Sequence, residues 1–473
     1  MGGRSRALLT VLVLALTTTA CGTRLTHAAI RTAAERRGIG SDVQRVTSAS
    51  GGAIASSDAG EGALATAGGG SEGVPAQAGS AGGHAVGSTS AAGLASTASS
   101  GTPAAAAGGS PVVIGNVGTY SGPAGSSLAD LPGGVQAWVR SINDRGGLNG
   151  HPVKLVSADD GSDPARHRSL VQQLVETEKV IAFIANGEVL TGGGSVEYLT
   201  SKGIPVIGNE GGSDWFYSSP VYFPPASTGR SYWPAVASSV AEVARQRNVK
   251  KWASITCTEA STCADADAIW HNGGEARAVG LDPVYRARAS IAQPDFTAEC
   301  LNARNAGAQI VTLVLDASSV LRVAASCARQ GYHPLFTEVA ASSKTEHAAN
   351  PNLADNLIAS IGTFIWTDGS TPATAEFQVA MKRYVGRAPG AGHAIAWQAA
   401  KVFEKAAAQI GEPPTAKAVL DGLYSFKDET LGGLSMPLTF TRGKNATRRI
   451  CWATNVTQKG TWLPFDQGRI ICR

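Results

Sequence analysis

From residue 111 onward, short apolar runs alternate with longer segments in which apolar residues recur every three or four positions. The short runs predict buried strands, and the longer segments predict amphipathic helices. A first series has predicted strands at 112–118, 153–160, 180–186 and 204–211. A second series has predicted strands at 251–258, 283–290, 309–316 and 334–340. Strands that alternate with helices of this length form parallel sheets, so the sequence predicts two α/β lobes in tandem.

Two helical segments and an alternating segment complete the pattern. Residues 373–386 and 393–411 have helical periodicity, and residues 438–465 alternate as an antiparallel hairpin does. The predicted fold class is therefore α/β, with two doubly wound parallel-sheet lobes.

The N-terminus has the pattern of an export signal. Two arginines precede an apolar run at 7–16, and small residues lead from there to Cys21. This predicts a secretory signal over 1–20, because the run is too short to span a membrane. The residues before Cys21 resemble a bacterial lipobox, which implies that Cys21 is lipidated, although Thr18 stands where leucine is usual. The alternative is ordinary signal cleavage nearby, with Cys21 left as a free thiol.

Residues 22–109 contain no Phe, Trp or Tyr, and from Ser48 they are mostly Gly, Ala, Ser and Thr. Such a segment has too little apolar surface to offset the entropy of ordering it. We expect 21–109 to be a flexible linker. A coil of roughly 85 residues spans about 50 Å, enough to hold a folded domain clear of a membrane.

Charge and cysteine content narrow the function classes. The net charge is only +4, without a basic stripe, which argues against nucleic-acid binding. Apart from Cys21 there are six cysteines, an even number that indicates disulfides in an exported chain. Six cysteines allow fifteen connectivities, and pairing in sequence order is the simplest hypothesis. That hypothesis predicts the disulfides Cys257–Cys263, Cys300–Cys327 and Cys451–Cys472. Since no C-x-x-C spacing occurs, neither a metal site nor a cofactor is predicted.

Asp159 and Asp160 follow the second predicted strand, at the edge of an α/β sheet where clefts form. Adjacent carboxylates at a strand end point to opposite sides, so they do not form an acid/base pair. We expect one aspartate to cap the next turn and the other to face solvent.

Six stretches of 110–473 carry a resemblance to a known family. They are "GTYSGPAG", "INDRGGLNGHPVKLVSADDGSDP", "LVETEKVIAFIANG", "SKGIPVIGNEG", "DFTAECLNARNAGAQIVTLVLDASSVLRVAASCARQGYHP" and "HAIAWQAAKVFEKA". In this order and spacing, they resemble the type I periplasmic binding proteins of the leucine/isoleucine/valine-binding kind.

The resemblance implies two lobes joined by three crossovers, with a small-molecule ligand between them. Lobe 1 would comprise 110–230 and 362–430, and lobe 2 would comprise 231–361 and 431–473. The implied role is that of an extracytoplasmic, membrane-anchored lipoprotein that delivers an amino acid or related polar solute to the permease subunits of an ABC importer.

The resemblance also implies a set of ligand-binding residues at the strand ends. They are Ser121, Glu188, Val189, Thr191, Glu210, Gly211, Gly212, Ser213, Glu259, Asp316 and Glu338.

Two of these residues depart from the amino-acid binders. Glu188 and Glu210 stand where those proteins have neutral groups, and in the cleft they would favour a cation or a polyol. The alternative is that they cap the helices that follow, as Asp316 can cap its own helix. The ligand therefore stays open between a branched-chain amino acid and another small polar or cationic solute.

Other functions remain to be weighed. The chain has neither a G-x-S-x-G elbow nor an H-E-x-x-H motif, so catalysis is not expected. A ligand sensor of the same fold, signalling to a membrane partner without transport, is the main alternative to import. A protein that has lost its ligand and acts structurally in the envelope is a further possibility.

Overall fold

The computed structural model describes residues 108–122, 124–209, 216, 218–227, 231–443 and 449–473. The predicted signal peptide, Cys21 and nearly all of the predicted linker lie outside these residues. Within them, no helix is both long and apolar enough to cross a membrane.

A parallel sheet forms the centre of the first lobe. Its described strands are β1 (Val112–Gly118), β2 (Val153–Asp159), β3 (Ala182–Asn186), β4 (Val206–Asn209) and β5 (Tyr222–Phe223). They lie in the order β2–β1–β3–β4–β5, and all neighbours pair in parallel. Every residue of β3 is buried, as expected for an inner strand of a parallel sheet covered on both faces.

A second sheet forms the centre of the second lobe. Its described strands are β6 (Lys251–Cys257), β7 (Asp282–Ala289), β8 (Ile310–Val314), β9 (Leu335–Val339), β10 (Leu357–Ile361), β11 (Cys451–Gln458), β12 (Thr461–Pro464) and β13 (Ile471–Cys472). The order is β12–β11–β10–β9–β8–β6–β7, with β13 beside β11. Strands β6 to β10 pair in parallel, whereas β11 pairs antiparallel with its neighbours.

Helices cover both sheets. The described α-helices are α1 (Gly125–Leu128), α2 (Leu131–Asp144), α3 (Pro164–Glu176), α4 (Val196–Lys202), α5 (Tyr232–Gln246), α6 (Ser261–Asp267), α7 (Glu275–Ala278), α8 (Thr297–Asn305), α9 (Ala317–Ala328), α10 (Pro372–Tyr384), α11 (Ala391–Ala406) and α12 (Ala416–Leu423). Helix α11 packs against α2, β3 and β4, whereas α5 packs against β10 and β11. The chain therefore crosses between the lobes after β5, after β10 and before β11.

The two-lobe parallel α/β fold is confirmed, and where the lobe boundaries fall along the chain stays a prediction. Two details differ from the sequence-based prediction. The pattern did not single out β10, a five-residue strand in which every residue is buried. The apolar pattern of 264–280 also predicts one helix, whereas the structure has α6, a π-helical turn at Ala268–Asn272 and α7 in this region.

The three predicted disulfides are formed. Cys257 is bonded to Cys263, Cys300 to Cys327 and Cys451 to Cys472. The second bond joins α8 to α9, and the third joins β11 to β13.

Removal of the Cys300–Cys327 bond by a double alanine substitution is expected to lower the free energy of unfolding by about 3–4 kcal/mol. The bond spans 27 residues, so its loss frees a long loop in the unfolded chain. The matched control removes Cys257–Cys263, which spans six residues and is expected to cost about 2 kcal/mol. Urea unfolding measures both, and an equal loss would contradict the chain-entropy argument.

Candidate functional site

A cavity lies between the lobes, where the carboxyl ends of the parallel strands of both sheets face each other. Its volume is about 160 Å³. The described residues that line it are Ala124, Ser127, Leu128, Val189, Leu190, Gly208, Phe216, Pro224, Pro225, Ala226, Ser227, Tyr232, Trp233, Cys257, Glu259, Ala260, Thr262, Cys263, Ile291, Val314, Leu315, Asp316, Val339, Ser342, Gly362, Thr363, Ile395 and Gln398.

The wall of this cavity is predominantly apolar. Among its described residues, Glu259 and Asp316 are the charged ones, and lysine and arginine are not represented. An apolar enclosure between two lobes favours a ligand with an apolar body, because its burial removes hydrocarbon surface from water.

Asparagine side chains shape the loop that carries Val189 into the wall. The Asn116 amide donates to the carbonyls of Ile184 and Ala185, at 2.8 and 2.9 Å. The Asn186 Oδ1 accepts from the backbone N–H of Val117 at 3.0 Å. These bonds replace strand pairing at the end of β3, where Ala185 has a positive φ of 52°. Pairing with β1 therefore stops there, although Asn186 still pairs with Asn209 of β4, and the segment that follows places Val189 in the cavity wall.

A buried ionic cluster anchors the same loop to helix α3. His167 of α3 lies between two carboxylates, with Nδ1 2.9 Å from Asp160 Oδ2 and Nε2 3.0 Å from Glu188 Oε2. The Thr191 hydroxyl donates to Asp160 at 2.7 Å, and the Thr119 hydroxyl donates to it at 2.8 Å. All five side chains are buried. The cluster therefore ties helix α3 to both ends of the segment 188–191.

The charge of this cluster follows from its hydrogen bonds. Burial alone would lower the pKa of His167, but the bonds to Asp160 and Glu188 outweigh it and raise the pKa to about 9. His167 is therefore an imidazolium at neutral pH, paired with carboxylates on both sides.

These contacts correct two expectations. Glu188 neither lines the cavity, as far as its wall is described, nor caps a helix, because its carboxylate is used by His167. Asp160 does not face solvent but is fully buried in the cluster. Asp159 accepts instead from the backbone N–H groups of Tyr120 and Gly161, at 2.9 and 3.0 Å, and so orders the β1 loop.

Glu338 is likewise a structural residue rather than the expected ligand contact. It is fully buried on β9, and its Oε2 lies 2.6 Å from His347 Nδ1. Burial raises the pKa of Glu338. In the described part of the wall, the neighbouring Val339 reaches the cavity and Glu338 does not, because consecutive residues of a strand point to opposite faces.

The remaining predicted residues divide into three groups. Val189, Glu259 and Asp316 line the cavity, and Asp316 also caps α9 by accepting from the N–H groups of Ser318 and Ser319. Thr191 borders an adjoining hollow of about 240 Å³, and Ser121 lies exposed on the β1 loop. Predicted residues that lie outside the described ones are Glu210, Gly211, Gly212 and Ser213.

Direct contacts hold the lobes together beside the cavity. The Ser126 hydroxyl of α1 donates to Asp316 Oδ2 at 2.8 Å, and the Ser127 hydroxyl accepts from the N–H of Ala317 at 3.0 Å. Deeper in the contact, Lys344 Nζ lies 2.8 Å from Asp130 Oδ2, and both side chains are buried. The structure therefore has the lobes closed on each other.

Sequence reasoning missed the residues that the crossovers contribute. Trp233 is the second residue of α5, after the first crossover, and Thr363 follows β10 in the second. One signal could have pointed to the first of these segments: the pairing of aromatic residues with prolines in "YFPPAS" and "YWP". The described residues contain no group of three or more His, Cys, Asp or Glu arranged to hold a metal ion.

A family model described as "Periplasmic binding protein" matches residues 111–461. A protein of Pseudomonas aeruginosa named "Amino acid binding protein" is 35% identical over 75 residues. That match covers 16% of this chain and 20% of the relative, so the chain spans about a fifth of that relative's length.

Solved structures share the fold over most of both chains. The branched-chain amino acid transporter substrate-binding protein LivJ of Streptococcus pneumoniae, in complex with isoleucine, has a TM-score of 0.64 at 17% identity and covers 77% of this chain and 100% of its own. A fatty acid ABC transporter substrate-binding protein of Thermomonospora curvata has a TM-score of 0.63 at 15% identity, with coverages of 77% and 91%. An ABC transporter solute-binding protein from R. palustris, in complex with benzoate, has a TM-score of 0.62 at 14% identity, with coverages of 77% and 98%. At such identities the likeness shows the fold alone.

Proposed function

Because this chain belongs to the periplasmic binding protein family, we propose that it captures a small organic solute between its lobes outside the cytoplasm and delivers it to the permease of an ABC importer. The observation that carries the proposal is the enclosed, mostly apolar cavity at the carboxyl ends of both sheets. The proposal includes no catalytic step.

The solute that this cavity favours has a largely apolar body. Of the two glutamates expected from the sequence to favour a cation or a polyol, Glu188 is described, and it is paired with His167 away from the described wall. The ligands named for the similar proteins, isoleucine, benzoate and fatty acids, are compatible with this class because each has an apolar part. The small polar solute expected from the sequence is thereby narrowed to one whose polar part is minor.

Binding of such a solute is expected to stabilise the full chain against heat. At about a hundred times its dissociation constant, a ligand adds about 2.7 kcal/mol and raises the unfolding midpoint by several degrees. The measurement is thermal unfolding against amino acids, fatty acids, aromatic acids, neutral amides and sugars. The variant Leu190→Asp, which places a charge in the cavity wall, is expected to lose the shift, whereas Leu463→Asp on the surface keeps it. Absence of a shift with every class would contradict the proposal.

Delivery to a membrane permease requires that the protein stay near the membrane, and we propose lipidation of Cys21 as its anchor. The variant Cys21→Ser is expected to move from the membrane fraction to the soluble extracytoplasmic fraction and to lose incorporation of labelled palmitate. Cell fractionation measures the change, and unaltered membrane association of Cys21→Ser would rule out this anchor.

A further inference from the structure

Most polar groups in the cavity wall already have partners within the protein. The Ser227 hydroxyl accepts from the N–H of Cys451 at 2.7 Å, and the Ser342 hydroxyl donates to the Leu315 carbonyl at 2.8 Å. The Gln398 amide donates to the Leu434 carbonyl, also at 2.8 Å. The two hydroxyls and the Gln398 N–H group therefore have partners without a ligand.

The two charged groups of the described wall are also engaged. Asp316 accepts from the Ser126 hydroxyl and from the N–H groups that begin α9. Glu259 accepts from the Ser290 hydroxyl at 2.6 Å and from the N–H of Ile291 at 3.1 Å. Neither carboxylate therefore depends on a cationic ligand for its hydrogen bonds.

Three polar groups of the wall remain without a partner in the described structure. They are Trp233 Nε1, Thr262 Oγ1 and Thr363 Oγ1. Their residues are only 2%, 7% and 1% exposed. A buried polar group without a partner costs about 1–3 kcal/mol, and such groups are few in folded proteins. Because these three groups belong to residues of one cavity wall, a ligand bound there is placed to supply the missing partners.

The chemistry of these groups limits what the ligand can offer. The indole N–H of Trp233 can only donate, so it requires an acceptor atom on the ligand. The hydroxyls of Thr262 and Thr363 can donate to that atom or to one beside it. A carbonyl or hydroxyl oxygen meets this requirement.

The position of the three groups orients the ligand. All three belong to segments beside the second sheet: the first turn of α5, the first turn of α6 and the segment after β10. The Trp233 ring is held edge-on against Trp270, with centroids 5.3 Å apart, and the Trp270 indole donates to the Trp233 carbonyl at 2.7 Å. On the side of the first sheet the wall is made by apolar residues, among them Leu128, Leu190 and Ile395.

The charge of the wall argues against an ionised ligand. The described lining carries the two carboxylates of Glu259 and Asp316 and no cationic side chain. An ionised carboxylate would leave water for an apolar enclosure in which the described charges repel it.

We infer that the ligand is an uncharged, mainly apolar organic molecule with one acceptor oxygen, such as an amide, ketone or alcohol. Its oxygen accepts from Trp233 and the two threonines, and its hydrocarbon part lies against the first lobe. This inference rests on the proposed function and names the substrate class of the same cavity.

The test uses probes that share a carbon skeleton within each set and differ in charge: octanamide, octanoate and 2-aminooctanoic acid, with phenylacetamide, phenylacetate and phenylglycine as an aromatic set. Calorimetric titration of the full chain is expected to give an amide that binds at least tenfold more tightly than its charged counterparts. Trp233→Phe, which keeps a ring and removes the N–H, is expected to weaken amide binding about tenfold, as is Thr363→Val. Trp397→Phe is the matched control, because its indole N–H is also buried without a described partner but does not belong to the described wall.

Each outcome of these titrations supports or overturns the inference. Tighter binding of a charged probe than of its amide overturns the inference and leaves the proposed function standing. Amide binding that Trp233→Phe and Thr363→Val leave unchanged, or reduce no more than Trp397→Phe does, overturns the assignment of the polar end. If none of the six probes binds, the inference is overturned. Thermal unfolding against the wider panel of solutes then shows whether the proposed function is also wrong.

Discussion

Replacing Lys344 with methionine is expected to lower the free energy of unfolding by about 3–5 kcal/mol. Methionine keeps the length and packing of the side chain but removes the cation that lies 2.8 Å from Asp130. Burial alone would raise the pKa of Asp130, but the charge of Lys344 and the hydrogen bonds from Lys344 and Arg387, with other nearby positive charge, together outweigh it and lower the pKa to about 2. Without Lys344 this carboxylate stays buried with one partner fewer. A buried charge that has lost a partner is the main cost of breaking a buried ion pair.

The same substitution is expected to weaken ligand binding, because the pair joins the two lobes beside the cavity. Lys344 follows β9, and Asp130 precedes α2. Chemical unfolding and calorimetric titration measure the two effects. The matched control is Lys401→Met, whose pairs with Glu376 and Glu404 lie within the first lobe and are partly exposed, so that the expected loss is below about 1 kcal/mol. Equal losses for the two variants would contradict the argument.

A double variant separates the charge from the packing. Asp130→Asn in the Lys344→Met background removes the charge left without Lys344, and it is expected to recover part of the lost stability. Recovery is incomplete because Arg387 also bonds to Asp130 and loses its carboxylate partner. No recovery at all would mean that Lys344 stabilises the protein through contacts other than this charge.

Replacing His167 with leucine is expected to cost about 3–5 kcal/mol at neutral pH. The substitution leaves Asp160 and Glu188 as buried carboxylates without the imidazolium between them. The segment 188–191, which places Val189 in the cavity wall, would no longer be anchored by this cluster. Ligand affinity is therefore expected to fall as well.

The pH dependence identifies the cause. The pKa of His167 is about 9 in the folded chain and near 6.5 when exposed. The stabilisation from its protonated form is therefore fully present below about pH 6.5 and is lost as the pH rises through about 9. The wild-type chain is expected to lose on the order of 3 kcal/mol over that interval.

The variant His167→Leu is expected to lack this loss at high pH. It is expected to gain stability instead as the pH falls from 7 to 5, because its unpaired carboxylates then take up protons. Urea unfolding at pH 5, 7 and 9 measures both trends. His333→Leu, at an exposed position, is the control and should follow the wild type. Parallel curves for His167→Leu and the wild type would exclude the cluster as the source.

The alternation of apolar runs and helical segments was sufficient to predict the fold. Period and length separate strands from helices, and the right-handed crossover rule leaves few ways to assemble such a series. The pairing of Cys300 with Cys327 could also be anticipated, because the two cysteines lie on successive helices, which a parallel sheet brings side by side. Strand β10 was missed, since a buried apolar run of five residues has no period of its own.

The candidate site was only partly predictable. Strand ends pointed to Val189, Glu259 and Asp316, which line the interlobe cavity; that they contact a ligand stays a prediction. The same reasoning placed Glu188 and Glu338 in the cleft, but each carboxylate meets a histidine inside its own lobe. Whether a charged side chain at a strand end faces a ligand depends on partners elsewhere in the chain, which no local pattern contains.

The sequence by itself determined the two α/β lobes and pointed to the strand ends where a ligand site would lie, whereas pairing of the cysteines in chain order was one of fifteen possibilities until the structure showed it. These depend on local periodicity and on the geometry of parallel sheets, both of which can be read from neighbouring residues. Only the tertiary structure decided that the cavity is mostly apolar, that His167 pairs with Glu188, and that Trp233 and Thr363 belong to the cavity wall. These properties arise where residues distant along the chain meet, because burial and pairing there set which polar groups keep a free hydrogen bond.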